Sequence, residues 1–587
     1  MGDKRDSEVV QDSVDSHDFS NNSVSAKPGV WTRFKDSFKP AEVDEKAGDD
    51  LASTDDLESG AMNADGGQKG ESLKRGLKQR HIQMIAIGGS IGTGLFVGSG
   101  GSLRTGGPAA LLIAWGLVST MLVPVVMSLG ELCVAFPVTG SFSTYAVRFI
   151  SPSWGFSIGV IYALMWLIVF PLELVASAMC ILYWNDKINP VAWVSLFYVF
   201  IIAINLFGVK GYGEAEYFLT IVKIIAITGF IILGVVLVCG GGPTHEFIGA
   251  KYYHNPGAFA HGFKGVATTF VTASYSMAGA EMVGLASAET KNPQKVLPKA
   301  VRQVFIRLVL FYLLTLMFIG FLVPYNDPQL LGSNTNSTSP FVIAIKNAKI
   351  YALPSIFNAC ILFTVVSVGN SAVYGCSRTL HSLGEQGLLP RIFGYIDRRG
   401  RPMVALATSA IFGALCFLSA YENQGEVFAW MLSVSGLATV FVWFNIALCH
   451  VRVRWALYAQ GRSTSELLYK APTGIIGSIY AMGFLLVVLV LQFWSSLWPI
   501  GHDGRASAYS FFQAYLCAPI MLVLFVGHNI YIRRKLGRWV LLIPLKEVDL
   551  DTGRRQMDMD IIRAEIQQEK DAMALKPFYV RWFKYWC

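Results

Sequence analysis

The sequence predicts an all-α polytopic membrane protein with twelve transmembrane helices. Of its 587 residues, 53% are hydrophobic and 15% are charged, and the mean hydropathy is +0.46. Soluble globular proteins carry about 25% charged residues, so the composition argues against an ordinary soluble enzyme. Twelve apolar segments of 19 or more residues lie between residues 83 and 532, and roughly 20 residues are enough to cross about 30 Å of hydrocarbon.

Each segment is assigned to a helix because lipid offers no hydrogen bonds to bare backbone. In chain order the predicted helices lie near residues 83–103, 108–136, 154–184, 190–208, 216–240, 265–287, 302–324, 353–383, 402–420, 426–450, 474–498 and 508–532. Since twelve is even, both chain ends lie on the same side of the membrane.

Three regions follow from this pattern. Residues 1–82 form an acidic N-terminal tail rich in Ser, Asp and Gly. It buries too little apolar surface to offset its ordering entropy, so we predict that it is disordered. Residues 83–532 form the twelve-helix domain. Residues 533–587 form a second tail, in which Asp560–Lys576 has the one-sided apolar pattern of an amphipathic helix that lies on a membrane face.

Basic residues predict the orientation of the helices. The connections on the side of the two termini carry most of the Lys and Arg, including those in Lys74–Arg80 and Arg533–Arg538. The positive-inside rule therefore places both tails in the cytosol. The net charge of +8 is spread over short connections, so topology explains it and no nucleic-acid partner is expected. Asn336–Thr338 is a glycosylation sequon that falls on the outer side.

The first predicted helix contains a glycine-rich stretch, Ile87–Leu95. Each glycine costs about 1 kcal/mol in a helix interior, so we predict that this stretch is unwound between two half-helices. Its amide groups and the positive end of the second half-helix would suit an anionic group. Close packing of small residues against a neighbouring helix is the alternative.

The sixth predicted helix has a comparable stretch at Tyr275–Gly284. Each break opens a block of five helices, residues 83–240 and 265–450. Since five is odd, the two blocks have opposite orientation in the membrane. Paired breaks at matching positions of inverted halves indicate the substrate site of a transporter.

Three charged side chains lie deep in apolar helices: Glu173, Lys223 and Glu281. A charge at mid-bilayer costs at least about 2.5–3.5 kcal/mol, so each is expected to face a cavity or a partner. They are candidates for binding a substrate ammonium or carrying a coupling proton, and a buried structural pair is the alternative. Asn370 and Ser435 are candidate neutral contacts, although hydroxyls commonly bond their own helix.

The sequence contains no nucleotide-binding loop and no zinc-protease or serine-hydrolase motif, and its nine cysteines lack metal-ligand spacing. We therefore expect no enzyme activity, no metal and no cofactor. An ion gradient is the remaining energy source, since one charge moved through 100 mV is worth about 2.3 kcal/mol.

Several motifs occur together in one order: Leu77–Gly89, Gly107–Pro137, Gly208–Glu216, Asn292–Ala300, Leu322–Asp327 and Trp586–Cys587. With these motifs, the chain from about Leu73 to Cys587 resembles the fungal amino acid permeases of the amino acid–polyamine–organocation superfamily, and most closely their general-specificity members. The resemblance implies a five-plus-five inverted-repeat fold with discontinuous helices 1 and 6. It also implies proton-driven uptake of L-amino acids at the plasma membrane.

The resemblance further implies a role for each candidate residue. The substrate carboxylate is bound by Ser90, Ile91, Gly92, Thr93 and Gly94, and the amino group by the carbonyls of Tyr275, Ser276 and Ala278 together with Glu173. The resemblance assigns the coupling proton to Lys223, to which we add Glu281 from its position inside an apolar helix, and it assigns side-chain choice to Met165, Met277 and Ser435. Met277 departs from the family pattern, which usually has an aromatic gate at this position.

The tails carry expectations about regulation. Cys587 resembles a terminal cysteine that can be palmitoylated. Lysines of the N-terminal tail are candidate ubiquitin acceptors, which implies ubiquitin-ligase and trafficking partners and cycling through endosome and vacuole.

The expected function is a proton–amino acid symporter of broad range. A permease restricted to basic or aromatic amino acids is the alternative within this class. A non-transporting amino acid sensor on the same fold is the alternative from another class. The N-terminal tail and the outer loop at Lys251–Lys264 are short, which favours the transporter.

The topology leads to a first prediction. Because Asn336 is expected on the outer side, a glycosidase should increase the gel mobility of the chain expressed in yeast, and Asn336→Gln should abolish that shift. Glycosylation at Asn21, in the N-terminal tail, would contradict the orientation.

Overall fold

The computed structural model describes residues 84–85, 88–138, 140–185, 187–287, 293–330, 339–420, 424–502, 504–552, 568, 571–573 and 575–578. This part of the chain is helical and has no β-strand. The predictions for the N-terminal tail, Asn336 and Cys587 lie outside the described residues, and the amphipathic segment at Asp560–Lys576 is described only at isolated positions.

Sixteen α-helices make up most of the described chain. They are α1 (Ser99–Gly106), α2 (Pro108–Ala135), α3 (Phe142–Phe149), α4 (Pro152–Leu182), α5 (Pro190–Leu206), α6 (Gly208–Val238), α7 (Gly262–Ser276), α8 (Met282–Ser287), α9 (Pro293–Leu322), α10 (Pro340–Asn347), α11 (Leu353–Glu385), α12 (Met403–Gly413), α13 (Gln424–Ala459), α14 (Gly474–Leu497), α15 (Ala508–Tyr515) and α16 (Cys517–Leu536). A single turn of π-helix lies at Gly94–Gly98, an irregular turn with extended backbone at Asn255 lies at Tyr253–Gly257, and 3₁₀ segments lie at Arg391–Gly394, Ala414–Ala420, Thr464–Glu466 and Leu545–Glu547.

Seven helices in the described residues are long and apolar enough to cross a membrane: Pro108–Ala135, Pro152–Leu182, Gly211–Val238, Leu353–Glu385, Met403–Ala420, Gln424–Ala459 and Gly474–Leu497. An eighth is formed by α15 and α16 if they are one span bent by 67°. The multi-pass membrane fold is therefore confirmed, whereas the count of twelve and the inverted repeat stay predictions. The predicted helices at 83–103 and 265–287 are each divided into shorter pieces.

Local sequence explains where several helices begin. Proline occupies the first turn of α2, α4, α5 and α10, where its missing N–H costs no hydrogen bond. Ser151 and Asn189 cap α4 and α5, since their side-chain oxygens accept the amide groups of Trp154 and Val191.

The centre of the bundle is α4, which packs against α11 and α13, while α2 packs against α9. Its core-facing side chains include Tyr162, Trp166 and Phe170, all buried. By contrast, α6 and α14 expose large apolar side chains, such as Phe218 (68% exposed) and Ile476 (78%). Apolar surface on this scale suits contact with lipid.

Buried ion pairs hold the end of the bundle that is predicted to be cytoplasmic. Arg454 of α13 donates twice to Glu131 of α2, at 2.8 and 2.7 Å. The Ala471 amide donates to the same carboxylate at 2.6 Å, and His450 Nε2 lies 3.2 Å from it. These contacts tie α2, α13 and the segment before α14 together.

A second pair closes the connection between α11 and α12. Arg401 Nη2 and Nε lie 2.5 and 2.6 Å from Asp397 Oδ2, and both side chains are almost fully buried. The amides of Arg399 and Arg401 donate to the other carboxylate oxygen at 3.0 and 2.8 Å, and the Arg401 guanidinium donates to the Leu206 carbonyl at 2.5 Å. The connection is thereby fixed to the end of α5.

We expect Asp397→Asn to destabilise the fold by about 3–5 kcal/mol, because it leaves the Arg401 charge buried without its partner. A lower thermal unfolding midpoint of the purified chain measures this loss. The matched control is Arg399→Gln, which removes an exposed charge but keeps the backbone donor, and it should change stability by less than about 0.5 kcal/mol. Equal shifts for the two variants would contradict the assigned role.

Candidate functional site

The two predicted breaks meet in the middle of the bundle. The chain turns at Gly89–Gly92 before the π-helical turn that leads into α1. The second break separates α7, which ends at Ser276, from α8, which begins at Met282. Both predicted interruptions are therefore present in the described residues.

Glycine allows the two breaks to touch. Gly279 has a φ of +95°, and a Cβ on it would lie 2.5 Å from the Gly89 carbonyl oxygen. A Cβ on Gly94 would lie 2.4 Å from Ser276 Cα. Real Cβ contacts are longer than these distances, so neither position accepts a side chain without separating the two backbones.

Tyr312 of α9 connects the breaks through its hydroxyl. The hydroxyl donates to the Ser90 carbonyl at 2.7 Å and also contacts the Ser276 carbonyl. Glu281 acts inside the second break, where its carboxylate accepts the Gly279 amide at 3.1 Å and the Trp443 Nε1–H at 3.2 Å. Carbonyl and amide groups that the breaks leave without helical hydrogen bonds thus obtain partners within the protein, as groups at membrane depth require.

A small cavity lies between the breaks, and because all of its lining residues are buried we call it the closed cavity. Its volume is about 10 Å³, which is room for one water molecule. It is lined by Gly89, Ser90, Gly92, Thr93, Gly94, Met165, Trp166, Val169, Glu173, Tyr275, Ala278 and Val368. The lining combines a glycine-rich backbone on one side, one carboxylate, and apolar side chains on the other.

Glu173 connects α4 to both breaks. Its Oε1 accepts hydrogen bonds from the Thr93 hydroxyl and, at 3.1 Å, from the Tyr275 hydroxyl. Its Oε2 is buried and has no hydrogen-bond partner among the described residues. The carboxylate therefore has room to accept a further donor.

Lys223 lies behind the first break, where its ammonium donates to the Gly88 carbonyl. Glu216 Oε1 is 3.8 Å from the same nitrogen, and Ser367 of α11 donates to this oxygen at 2.7 Å. Lys223 and Glu216 are both fully buried. The pair joins α6, α11 and the first break.

The site residues predicted from the sequence do not include Glu216 or Tyr312. The spacing of Glu216 from Lys223 is two helical turns, which places both on one face of α6, and this spacing was the available signal. Tyr312 sits in an apolar run that gives no comparable signal.

Several predicted site residues do not line the cavity. Ile91 and Met277 lie within the breaks and are fully buried, and Glu281 caps the second break from within. Ser435 donates to the Met431 carbonyl of its own helix at 2.8 Å. Asn370 accepts the Asn205 amide at 2.8 Å on the side of α11 that carries Ser367. Among the described residues, no group of His, Cys, Asp or Glu could hold a metal ion.

Comparison with known proteins gives one consistent result. Residues 81–540 match the model of the family described as amino acid permease. The chain is 63% identical to amino-acid permease GAP3 of Candida albicans, over 95% of this chain and 94% of that protein. It is 49% identical to general amino-acid permease GAP1 of Saccharomyces cerevisiae, over 95% and 92%. It is also 50% identical to the tryptophan permease of Saccharomyces cerevisiae, over 89% and 88%.

The contact between the breaks can be tested by adding one methyl group. We expect Gly94→Ala to lower the thermal unfolding midpoint of the purified chain, because the new Cβ meets the α7 backbone. Gly229→Ala is the matched control, since a Cβ there meets no atom within 4 Å and alanine is the better helix former. An unchanged midpoint for Gly94→Ala would contradict the close contact.

Proposed function

The chain belongs to the amino acid permease family, and from this premise we propose that it imports L-amino acids by proton-coupled symport with alternating access. The observation that carries the proposal is the closed cavity between two broken helices, with one carboxylate in its wall. The lining of this cavity, once it is enlarged, suits a substrate that has a charged head group at one end and a variable side chain at the other. Members of this family are transporters, which argues against an enzyme.

In the proposed binding mode, the substrate carboxylate lies against Ser90–Gly94, where the positive end of the helix that follows stabilises an anion. The ammonium faces Glu173 and the carbonyl groups of Tyr275–Ala278. The substrate side chain points to Met165 and the apolar wall beside it. This arrangement uses a head group that all L-amino acids share, so it supports broad specificity.

The volume of the cavity requires a conformational change. At about 10 Å³ the cavity is too small for an amino acid, so the wall must move before one binds. The hydrogen bonds from Thr93 and Tyr275 to Glu173 are the contacts that separate first, because they join α4 to both breaks. A substrate ammonium replaces these two donors at the carboxylate, and the wall closes again around it.

Lys223 and Glu216 are proposed to carry the coupling proton. The ammonium holds the Gly88 carbonyl and faces Glu216 at 3.8 Å. Loss of a proton from Lys223 removes one charge from a buried pair and weakens its hold on the first break. Proton transfer is in this way linked to the position of the helix that binds the substrate carboxylate. Glu281, whose carboxylate is already taken up by Gly279 and Trp443, has the smaller part in this proposal.

Fewer contacts in the structure bear on the substrate range than on the binding of the head group. Met165 lines the cavity and accepts a contact from the Thr439 hydroxyl at 3.3 Å. Met277 and Ser435 lie outside the cavity wall and are proposed to act through neighbouring side chains. Relatives named for general uptake and for tryptophan are about equally similar to this chain, so a narrower permease is the second candidate.

The proposal places the chain in the plasma membrane with both tails in the cytosol. Palmitoylation at Cys587 and ubiquitination of N-terminal lysines, followed by cycling through endosome and vacuole, complete it. A sensor that does not transport is the remaining alternative.

Uptake measurements test the function. The chain is expressed in a yeast strain without its own amino acid permeases, and uptake of labelled citrulline, arginine, leucine, proline and glutamate is followed with and without a protonophore. Uptake of most of them that is lost with protonophore supports a general symporter. Uptake of one chemical class supports the narrower permease. No uptake by a chain visible at the cell surface contradicts transport and favours the sensor.

Coupling gives a separate prediction. We expect Lys223→Met to reduce proton-driven leucine accumulation at least about tenfold while surface expression persists, because the residue can no longer take up a proton. Lys264→Met, at the start of α7 and away from the breaks, is the matched control. Normal, protonophore-sensitive accumulation by Lys223→Met would contradict the assigned role.

A further inference from the structure

A second, larger cavity opens at the end of the bundle opposite the arginine-rich connections. Its volume is about 720 Å³, which is within the range of small-molecule sites. Its walls come from α1, the last turns of α4, the second half of α7, the first turns of α13, the last turns of α14, and α15. In the predicted topology this cavity faces the outside of the cell, and we call it the outer cavity.

The outer cavity is separate from the closed cavity between the breaks. The two share no lining residue among those described. Ala176 and Thr272 line the outer cavity. They lie one helical turn from Glu173 on α4 and Tyr275 on α7, respectively. These two hydrogen-bonded residues separate the two cavities, and we call them the partition. The hydrogen bonds to Glu173 therefore close the floor of the outer cavity.

The lining of the outer cavity carries two opposite charges. Arg104 at the end of α1 and Glu426 at the start of α13 both contribute to its wall. Glu426 accepts the Tyr509 hydroxyl, which in turn accepts Trp430 Nε1–H at 3.0 Å. These bonds hold the carboxylate in place against α15.

An unsatisfied polar atom lies in the same wall. Gln492 is 7% exposed, and its Oε1 has no hydrogen-bond partner among the described residues, while its Nε2 lies 3.4 Å from the Ala514 carbonyl. A buried acceptor without a partner costs free energy, and a ligand N–H would remove that cost.

We propose that the outer cavity is a second binding site for zwitterionic amino acids, which holds the substrate before the partition at Glu173 opens. Arg104 binds the carboxylate, for which a guanidinium is well suited, and Glu426 with Gln492 Oε1 binds the ammonium. This inference rests on the proposed function, since it takes amino acids as the substrate.

The test counts bound leucine per chain on the purified full-length protein in lipid nanodiscs, by equilibrium dialysis up to millimolar concentration. The unchanged chain should bind two molecules. Arg104→Gln should bind one, since the loss of one charged partner weakens the outer site on the order of tenfold or more. Arg505→Gln, which removes an exposed arginine outside the cavity lining, is the matched control and should bind two.

The two sites are separated by a variant that fills the closed cavity. A Cβ on Gly92 would lie 2.6 Å from Val368, so Gly92→Val should block that site and leave one bound leucine at the outer site. The double variant with Arg104→Gln should bind none. Isopentylamine, which lacks the carboxylate, should not compete at the outer site.

Each other outcome overturns the inference. One leucine on the unchanged chain that is lost in Gly92→Val shows a single site, while the proposed function stands. Two molecules on Arg104→Gln show that the arginine does not bind the carboxylate. No bound leucine on the unchanged chain overturns the proposed function as well. If Gly92→Val does not fold, the comparison of Arg104→Gln with the unchanged chain still decides the matter.

Discussion

Backbone groups at membrane depth need partners from the protein itself, and the rest of this structure depends on how two broken helices meet that need. The two breaks pack closely against each other at glycines, and buried side chains supply their hydrogen-bond partners: Tyr312 donates to the Ser90 carbonyl and contacts the Ser276 carbonyl, and Glu281 accepts an amide within the second break. Lys223 holds the first break from behind. These side chains belong to different helices or segments of the bundle. A movement of one break therefore also changes the contacts of the other break.

Much of the fold could be predicted from the sequence because apolar length is a direct physical requirement of the bilayer. Runs of the right length became α2, α4, α6, α11, α13 and α14, and the two glycine-rich runs became breaks. The sequence did not predict the 67° bend between α15 and α16, or the short helix α10. The length of an apolar segment predicts whether it can span the membrane. It does not predict a bend that arises from packing against neighbouring helices.

The site could be predicted in part, for a similar reason. The glycines and Glu173 stand out because they are costly in a lipid-facing helix, and the structure brings them together around one cavity. Glu216 and Tyr312 were missed because their importance depends on which helices pack side by side. The Ser435 hydroxyl bonds its own helix, which is the alternative that the sequence left open for this residue. The free-energy cost of burying a polar or charged side chain identifies candidate site residues in the sequence. Their partners depend on which helices pack side by side, and the sequence alone does not give this.

The central claim is that an amino acid binds between the two breaks with its head group on the glycine-rich turn. A cryo-electron microscopy structure of the full chain with saturating leucine tests this most directly. The account predicts leucine density with its carboxylate at Ser90–Gly94, its ammonium near Glu173, and a cavity enlarged from the present volume of about 10 Å³. Well-resolved breaks in this closed arrangement, with no leucine between them at saturation, would contradict it.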